Sequence, residues 1–466
     1  MAPLGHAASV PHVPGHKVDH PQQLAFLRAH VRDLCGLKHS RFPGAQPVSF
    51  EKSSIDLLKS EDFWVCEKSD GQRVLILIVI PSSTSIQEVF LIDRKNDYYK
   101  VDGLVFPHHT PKDPEVARAN GLRNHTLMDG ELVIDTDASG KQKLVLLLFD
   151  LIVLDHELLA NRPLSKRYGR LKSYVYPPYI DYLKRNPSAA ARRPFDIQVK
   201  KMDLAYGIQM VLYETVPNLL HGNDGLIFTC LNSGYEMGTD PKILKWKPPN
   251  ENTIDFKLVL RFPPDLECDP RGNLPNLAAM PFFELHQYLG DSPNEDYEYF
   301  DELWVEPEEW RKMVESGEQF DDRVVECVWT VDPKPATEPY LSRGLSLPPR
   351  WRMMRIRDDK HHGNHRSIVE KILKSIRDGV EADELVSAAP AIRAAWKTPE
   401  REKRRQEVGQ APAPTSTQIQ HQSGTLHTYG SLPYDPSLLF GGMAYQGIKG
   451  KAPPLVSGGQ HRLIRR

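Results

Sequence analysis

The aliphatic run Val74-Leu75-Ile76-Leu77-Ile78-Val79-Ile80 reads as a buried strand, closed by the turn residues Pro81-Ser82-Ser83. Directly before it stands Glu67-Lys68-Ser69-Asp70-Gly71-Gln72-Arg73. A lysine with an aspartate two residues on and an arginine five on is thereby set at the mouth of that strand. A free lysine has a pKa of ~10.4, so holding it neutral at pH 7 costs roughly 4.6 kcal/mol unless burial or nearby cations lower the value. Val65, Cys66 and the aliphatic run supply apolar walls, and Arg73 is expected to supply the cation, a setting that makes a lysine nucleophilic. Taken alone, the same peptide also fits an ordinary surface turn.

A length of 466 residues gives a prior of roughly three domains of about 150 residues each. With 59 Lys+Arg against 61 Asp+Glu, any nucleic-acid affinity must come from local basic surface and not from the field of the whole molecule. Cys35, Cys66, Cys230, Cys268 and Cys327 stand singly, without zinc or disulfide spacing, which fits a reducing compartment. Residues 1–20 read as a flexible arm, without the continuous apolar core of a secretory signal. The apolar run from Leu144 to Leu154 is broken by Asp150 and falls short of the ~20 residues that span a bilayer. An intracellular protein without membrane attachment is expected.

From Pro21, Leu24, Leu27, Val31 and Leu34 fall at helical spacing. Strands are predicted at Phe63–Glu67, Arg73–Ile80, Glu88–Asp93 and Tyr98–Val101, as an antiparallel meander. A hairpin, Glu131–Thr136 with Lys143–Leu154, turns at Asp137-Ala138-Ser139-Gly140. Helical patterns fill 163–220, broken at Pro177-Pro178, before strands at Leu226–Thr229 and Lys242–Lys247. This first domain is α+β and spans 21–249. Beyond Pro248-Pro249-Asn250, short strands at Ile254–Leu260, Leu303–Val305, Val324–Thr330 and Trp351–Arg357 predict a small barrel over 250–360, with the acidic stretch from Asp291 to Glu302 as a solvated insertion. Ile368, Ile372, Leu373, Ile376 and Val380 mark a helical face, expected within a segment, 361–395, that packs back on the first domain. From 396 the composition turns polar, with ten Lys/Arg against four Asp/Glu over 397–466, a net of +6, and disorder is expected there.

Further clusters follow Lys68-x-Asp70-Gly71-x-Arg73 along the chain: Asp129-Gly130-Glu131, Phe149-Asp150, Asp224-Gly225-Leu226-Ile227, Lys245-Trp246-Lys247 and Trp351-Arg352-Met353-Met354-Arg355-Ile356-Arg357-Asp358-Asp359-Lys360. Lys245 and Lys247 alternate on a strand and share a face, with Trp246 pointing away. Arg355 and Arg357 alternate likewise, with Lys360 just beyond; so much positive charge on one face suits phosphate. Read on its own, Phe149 is a core phenylalanine and Asp224 a turn aspartate.

In this order the clusters resemble the motifs of the covalent nucleotidyltransferases, which comprise DNA ligases, RNA ligases and messenger-RNA capping enzymes, over most of residues 60–365. Asn252-Thr253-Ile254-Asp255-Phe256-Lys257 and the Arg355-Ile356-Arg357-Asp358-Asp359-Lys360 stretch resemble the messenger-RNA guanylyltransferase branch. The resemblance implies an α+β nucleotidyltransferase (ATP-grasp-like ligase) domain with antiparallel sheets and flanking helices, and an oligonucleotide-binding (OB) β-barrel that closes over the nucleotide. It implies Lys68 as the residue that becomes bonded to GMP, and contacts to GTP from Arg73, Arg94, Glu131, Phe149, Asp224, Lys245, Lys247, Asp255, Arg355, Arg357 and Lys360. Mg²⁺ or Mn²⁺ would be held by Glu131 and Asp224. Lys200 or Lys201 adds a further charge, and the sequence does not choose between them. No His-Cys followed by the arginine of a cysteine-phosphatase loop is present, so the resemblance is to the stand-alone fungal enzyme. Its partners would be the 5′ end of nascent RNA, a separate RNA 5′-triphosphatase subunit and the phosphorylated C-terminal domain of RNA polymerase II, in the nucleus. Guanine as the base comes from the resemblance alone. The alternatives are an ATP-dependent polynucleotide ligase and a non-catalytic nucleic-acid scaffold built on the barrel.

Overall fold

The computed structural model describes residues 11–81, 84–112, 116, 120–291, 296–330 and 349–410. Along the chain the strands are β1 (His16–Lys17), β2 (Ala45–Ser49), β3 (Phe63–Ser69), β4 (Gln72–Val79), β5 (Glu88–Ile92), β6 (Tyr98–Val101), β7 (Thr126–Thr136), β8 (Gln142–Leu154), β9 (Glu157–Leu158), β10 (Asp196–Val199), β11 (Asp203–Leu204), β12 (Asn223–Cys230), β13 (Gly238–Trp246), β14 (Thr253–Arg261), β15 (Phe282–Gly290), β16 (Asp296–Glu302), β17 (Arg323–Thr330) and β18 (Arg350–Ile356). They form three sheets. The first runs β1-β6-β5-β4-β7-β8-β10, with β9 on β8; the second runs β11-β3-β12-β13-β2; the third runs β16-β15-β14-β17-β18. Pairing is antiparallel except for β10 with β8 and β13 with β2.

The aliphatic run forms β4 at the centre of the first sheet. Val74, Ile76 and Ile78 enter one core cluster, and Leu75, Leu77 and Val79 enter another on the opposite face. Both faces are covered, by helices from 164 to 185 on one side and by Pro21–Leu34 on the other, which is why the run carries no polar residue. The second sheet packs against Lys52–Ser60, the short turns of 205–218 and the helix Ala382–Trp396. The third packs against Pro307–Ser316 and Arg366–Arg377.

The meander holds only for β4, β5 and β6. The preceding strand, β3, instead pairs with β12 and β11 in the second sheet. Asp70 and Gly71 therefore carry the chain from one sheet to the other, and Lys68 sits where the two diverge. Within 163–220 the helix does not break at Pro177-Pro178: a wide turn at Leu171–Val175 leads straight into Tyr176–Arg185, placing both prolines in a first turn, where a missing N–H costs nothing.

The third sheet has five strands, and its outer strands meet at a single parallel bridge, Leu303 with Trp351. Residues 296–302 of the acidic stretch are not a solvated insertion but the edge strand β16: Phe300 turns inward against Phe256, ring centroids 4.8 Å apart, and Asp301 accepts from Trp351 Nε1 at 3.1 Å. The face expected from Ile368 to Val380 is divided. Val369, Ile372, Leu373 and Ile376 pack on the third sheet, whereas Val380 packs on the second.

Two expectations at the ends give way where described. His16 and Lys17 pair with Lys100 and Tyr99, so residues 16–18 belong to the sheet and not to a loose arm; residues 1–10 lie outside the described residues. The tail expected from 396 begins with a helix, Pro399–Gln410, held by ion pairs where it lacks an apolar face; residues 411–466 lie outside the described residues.

Candidate active site

β12 runs antiparallel to β3 with Ser69 opposite Asn223 and Glu67 opposite Leu226. Asp224 and Gly225 thus face the single residue Lys68, a β-bulge that re-aims a side chain. Gly225 has φ +139°, and a Cβ there would run into the Trp246 carbonyl oxygen, so the bulge requires glycine. Asn223 Nδ2 pins it by donating to the carbonyls of Lys68 at 2.9 Å and Gly225 at 2.8 Å. The bulge brings Asp224 Oδ1 within 2.5 Å of Lys68 Nζ, while its other oxygen lies 2.6 Å from Lys247 Nζ. Burial raises the carboxyl pKa, but the two ammonium groups outweigh it and hold Asp224 below the usual range. The Lys68 side chain stays 24% exposed, open to a ligand.

Lys245, paired in register with Ile227, points to the same side, and Trp246 turns into the core, its Nε1 donating to the Val380 carbonyl at 2.8 Å. The Lys245 side chain makes no hydrogen bond or ion pair among the described residues. Burial, then Lys247, Lys68 and Arg94, push its pKa down. The cations beside Lys68 therefore come from β13 and its end. Arg73 is not one of them, because β4 enters the other sheet: its guanidinium is buried against Asp129, 3.0 Å from Oδ1 and 2.5 Å from Oδ2, and reaches Tyr235 and the Ala45 carbonyl. With its charge matched, Arg73 forms the cleft floor beneath the Phe149 ring, 5.7 Å from its centroid.

A second bulge sets Phe149. Asp129 pairs with Asp150 and Gly130 with Leu148, which leaves Phe149 as the extra residue. It joins none of the core clusters and lines the cleft instead. Its neighbour Asp150 turns inward, bound by Arg167 Nε and Nη2 at 2.8 Å each. Glu131 and Arg94 face the same space, and neither side chain makes a hydrogen bond or ion pair among the described residues. Burial raises the Glu131 pKa, against the pull of Lys200, Lys68, Arg73 and Arg94. Of the two adjacent lysines, Lys200 is buried at the cleft, whereas Lys201 is 65% exposed and paired with Asp203. The cleft has a volume of about 110 Å³ and is lined by Lys68, Arg73, Arg94, Glu131, Phe149 and Lys200 among others.

The remaining site residues lie on the third sheet. Asp255 is buried and binds Arg357 Nη1 at 3.0 Å and Lys360 Nζ, so it anchors those cations and does not line the cleft. Arg355 pairs with Glu326 at 2.6 Å, and its charge also acts on Asp70, beside Lys68. Asp70 is nevertheless raised, by burial and by Asp224. Tyr235, Arg167 and His221 carry no local signal in the sequence, because each finds its partner on another element.

Among the described residues, the one trio of metal-ligand side chains is His108, His109 and Asp155, none of which lines the cleft. There the Thr110 N–H donates to His108 Nδ1 at 3.0 Å, which leaves the ring proton on Nε2, 3.0 Å from Asp155, and Arg123 takes the same carboxylate. That is an ion-paired cluster and not a metal site. No helix among the described residues is long and apolar enough to cross a membrane.

The family model for the mRNA capping enzyme, catalytic domain, matches residues 9–249, and that for the mRNA capping enzyme, C-terminal domain, matches 251–386. The chain is similar to the mRNA-capping enzyme subunit alpha of Neurospora crassa, 40% identical over 398 residues, covering 82% of this chain and 93% of the relative. It is similar to the proteins of the same name from Schizosaccharomyces pombe, 38% identical over 373 residues (79% and 85% covered), and Saccharomyces cerevisiae, 36% over 415 (83% and 85%). Among solved structures, a mycobacterial DNA ligase D complexed with ATP and MES aligns over 68% of this chain and 95% of its own at 14% identity, with a TM-score of 0.32, too loose a match to bear on function.

Proposed function

This chain belongs to the mRNA capping enzyme family, and from that premise we propose that it builds the cap in two steps through Lys68. It is a nucleotidyltransferase acting on RNA 5′ ends. In the first step Lys68 Nζ attacks the α-phosphorus of GTP: an N–P bond forms, the bond to the bridging oxygen breaks and pyrophosphate leaves. In the second, an oxygen of a diphosphate-ended RNA attacks the same phosphorus, the N–P bond breaks and the amine is restored. Positioning and charge neutralisation carry most of such chemistry.

The observation that carries this reading is the Lys68–Asp224 contact at the bulge between β3 and β12, with the side chains of Lys245 and Arg94 forming no ion pair among the described residues. Asp224 and Lys247 orient Nζ; Lys245 and Lys247 take phosphate oxygens; Phe149 stacks on the base; Arg94 and Glu131 take the ribose. Arg357 and Lys360 would leave Asp255 for the outer phosphates as the third sheet closes, and reopening admits RNA. Glu131, a half-buried carboxylate with no partner among the described residues, fits a hard divalent cation, and Asp224 joins it once Lys68 lets go. Mg²⁺ or Mn²⁺ held there would spread the charge of the phosphates. The relatives' designation as subunit alpha supports a second subunit, and an RNA 5′-triphosphatase supplies the required diphosphate end. Binding to the phosphorylated polymerase tail and a nuclear site follow from the resemblance.

Incubation with each of the four α-labelled nucleoside triphosphates tests the proposal. Acid-labile label from GTP that Lys68→Ala abolishes supports it; label from ATP alone replaces it with a polynucleotide ligase, and no label overturns it.

A further inference from the structure

Glu67 and Ser69, on either side of Lys68, carry a buried network that the two steps leave unused. Lys200 Nζ lies 3.1 Å from Glu67 Oε1 and donates to Ser69 Oγ at 2.7 Å. Ser69 Oγ lies 3.2 Å from Glu67 Oε1 and 3.4 Å from His221 Nε2. That nitrogen is 3.8 Å from Glu67 Oε1, and on the far side of the ring His221 Nδ1 lies 2.8 Å from Asp135 Oδ1, near the end of β7. His221 precedes the Asp224 bulge by three residues. The imidazole therefore bridges β3, β7 and the entry to β12.

Both ring nitrogens face oxygens, and only the imidazolium donates from both. With the ring protonated, Glu67 and Asp135 are balanced by Lys200 and His221. With it neutral, one negative charge is left over beside Lys68, and such a charge favours the ammonium over the free amine. Burial opposes a charge on His221, but the bonds to Glu67 and Asp135 outweigh it and raise the ring's pKa. Glu67 shifts down in concert: burial raises it, and Lys200 and His221 more than offset that.

We propose that His221 is a positioning residue for Lys68, tying the lysine strand to β7 and to the Asp224 bulge and, in its doubly protonated form, balancing the charge beneath the amine. The proposal rests on Lys68 being the nucleophile. The groups that face the ring are Glu67 and Ser69 from β3, Asp135 from β7 and, through Ser69 and Glu67, Lys200 from the segment after β10.

The test is the pH dependence of single-turnover label transfer from α-labelled GTP to the full-length protein. Wild type must first take label at Lys68; if it does not, the reading of Lys68 fails, and this proposal is not what failed. In His221→Gln the side chain still donates a hydrogen bond but carries no ionisable ring. Its rate at pH 7 falls about tenfold and its acid limb moves about one unit higher, the size of a nearby unit-charge effect. Adding Asp135→Asn removes the charge left behind and returns the limb toward wild type. A profile in His221→Gln that is merely scaled down at every pH, or that Asp135→Asn fails to restore, overturns the proposal. Equal melting temperatures for wild type and the double variant show that folding is not the cause.

Discussion

Arg357 Nη1 lies 3.0 Å from Asp255, a carboxylate of its own sheet that also holds Lys360. The two cations proposed to bind phosphate thus rest on an internal anion. Asp255→Asn keeps the shape and removes that charge, taking the anion from Lys360 and leaving Arg357 to Asp359 and Glu326 alone. Hydrogen bonds to charged groups are worth about 1.5–3 kcal/mol, so unfolding stability should fall by that order. Chemical denaturation of the variant checks it, and an unchanged midpoint would show that Asp255 is not their anchor.

Phe149 stands outside the core clusters because it is the extra residue of a bulge. A core Phe→Ala change costs about 3–5 kcal/mol, whereas loss of a base-stacking ring costs about 1–3 kcal/mol of binding. Phe149→Ala is therefore expected to raise the KM for GTP by tenfold or more while stability falls by less than a core truncation would cause. Thermal melts beside steady-state kinetics separate the two, and a large loss of stability with an unchanged KM would return Phe149 to the core.

How legible all this was in the sequence depended on whether the deciding contact was local. The unbroken apolar run of β4 announced a strand covered on both faces, and the Lys245-Trp246-Lys247 alternation gave the side each residue takes, since both follow from a period of two. The bulges at Phe149 and Asp224 depend on the register of a partner strand, which periodicity does not encode. The same holds for Arg73: five residues from Lys68 in sequence, it is carried into another sheet and neutralised by Asp129. Helix Pro399–Gln410 escaped notice because its polar residues show no apolar face and it is held by charge.

His30, His125 and His156 meet where helix Pro21–Leu34 docks on the first sheet, with His30 Nε2 3.1 Å from His125 Nδ1. Burial, then the neighbouring His156, lowers His30 to about 4; burial, then His156 and His30, lowers His125 to about 3. Folded values below the unfolded value of ~6.5 mean stability that is fully present above pH 6.5 and lost as pH falls toward those values. Each ring contributes a slope of up to about 1.4 kcal/mol per pH unit. Melting temperature should therefore drop between pH 6.5 and 4, and His125→Gln should flatten that drop; a variant that follows the wild-type curve would exclude these rings as its source.

The last described helix carries its own test. Arg401 Nε lies 2.8 Å from Asp62 Oδ1 with Nη2 on the same oxygen, and Arg405 reaches the other oxygen at 3.2 Å. Both guanidinium groups lie over the Trp396 ring. Asp62 is buried directly before β3, the strand that bears Lys68, so this clasp fixes the start of that strand. Removing one partner of a buried pair leaves the other charge uncompensated, at a cost of about 3–5 kcal/mol. Arg401→Ala should lose somewhat less, because Arg405 remains. Asp62→Asn in that background should recover part of the loss, since the charge left stranded is gone. Denaturation midpoints of the two single variants and the double variant measure the coupling, and strictly additive losses would mean that helix Pro399–Gln410 is not clasped to β3 through this carboxylate.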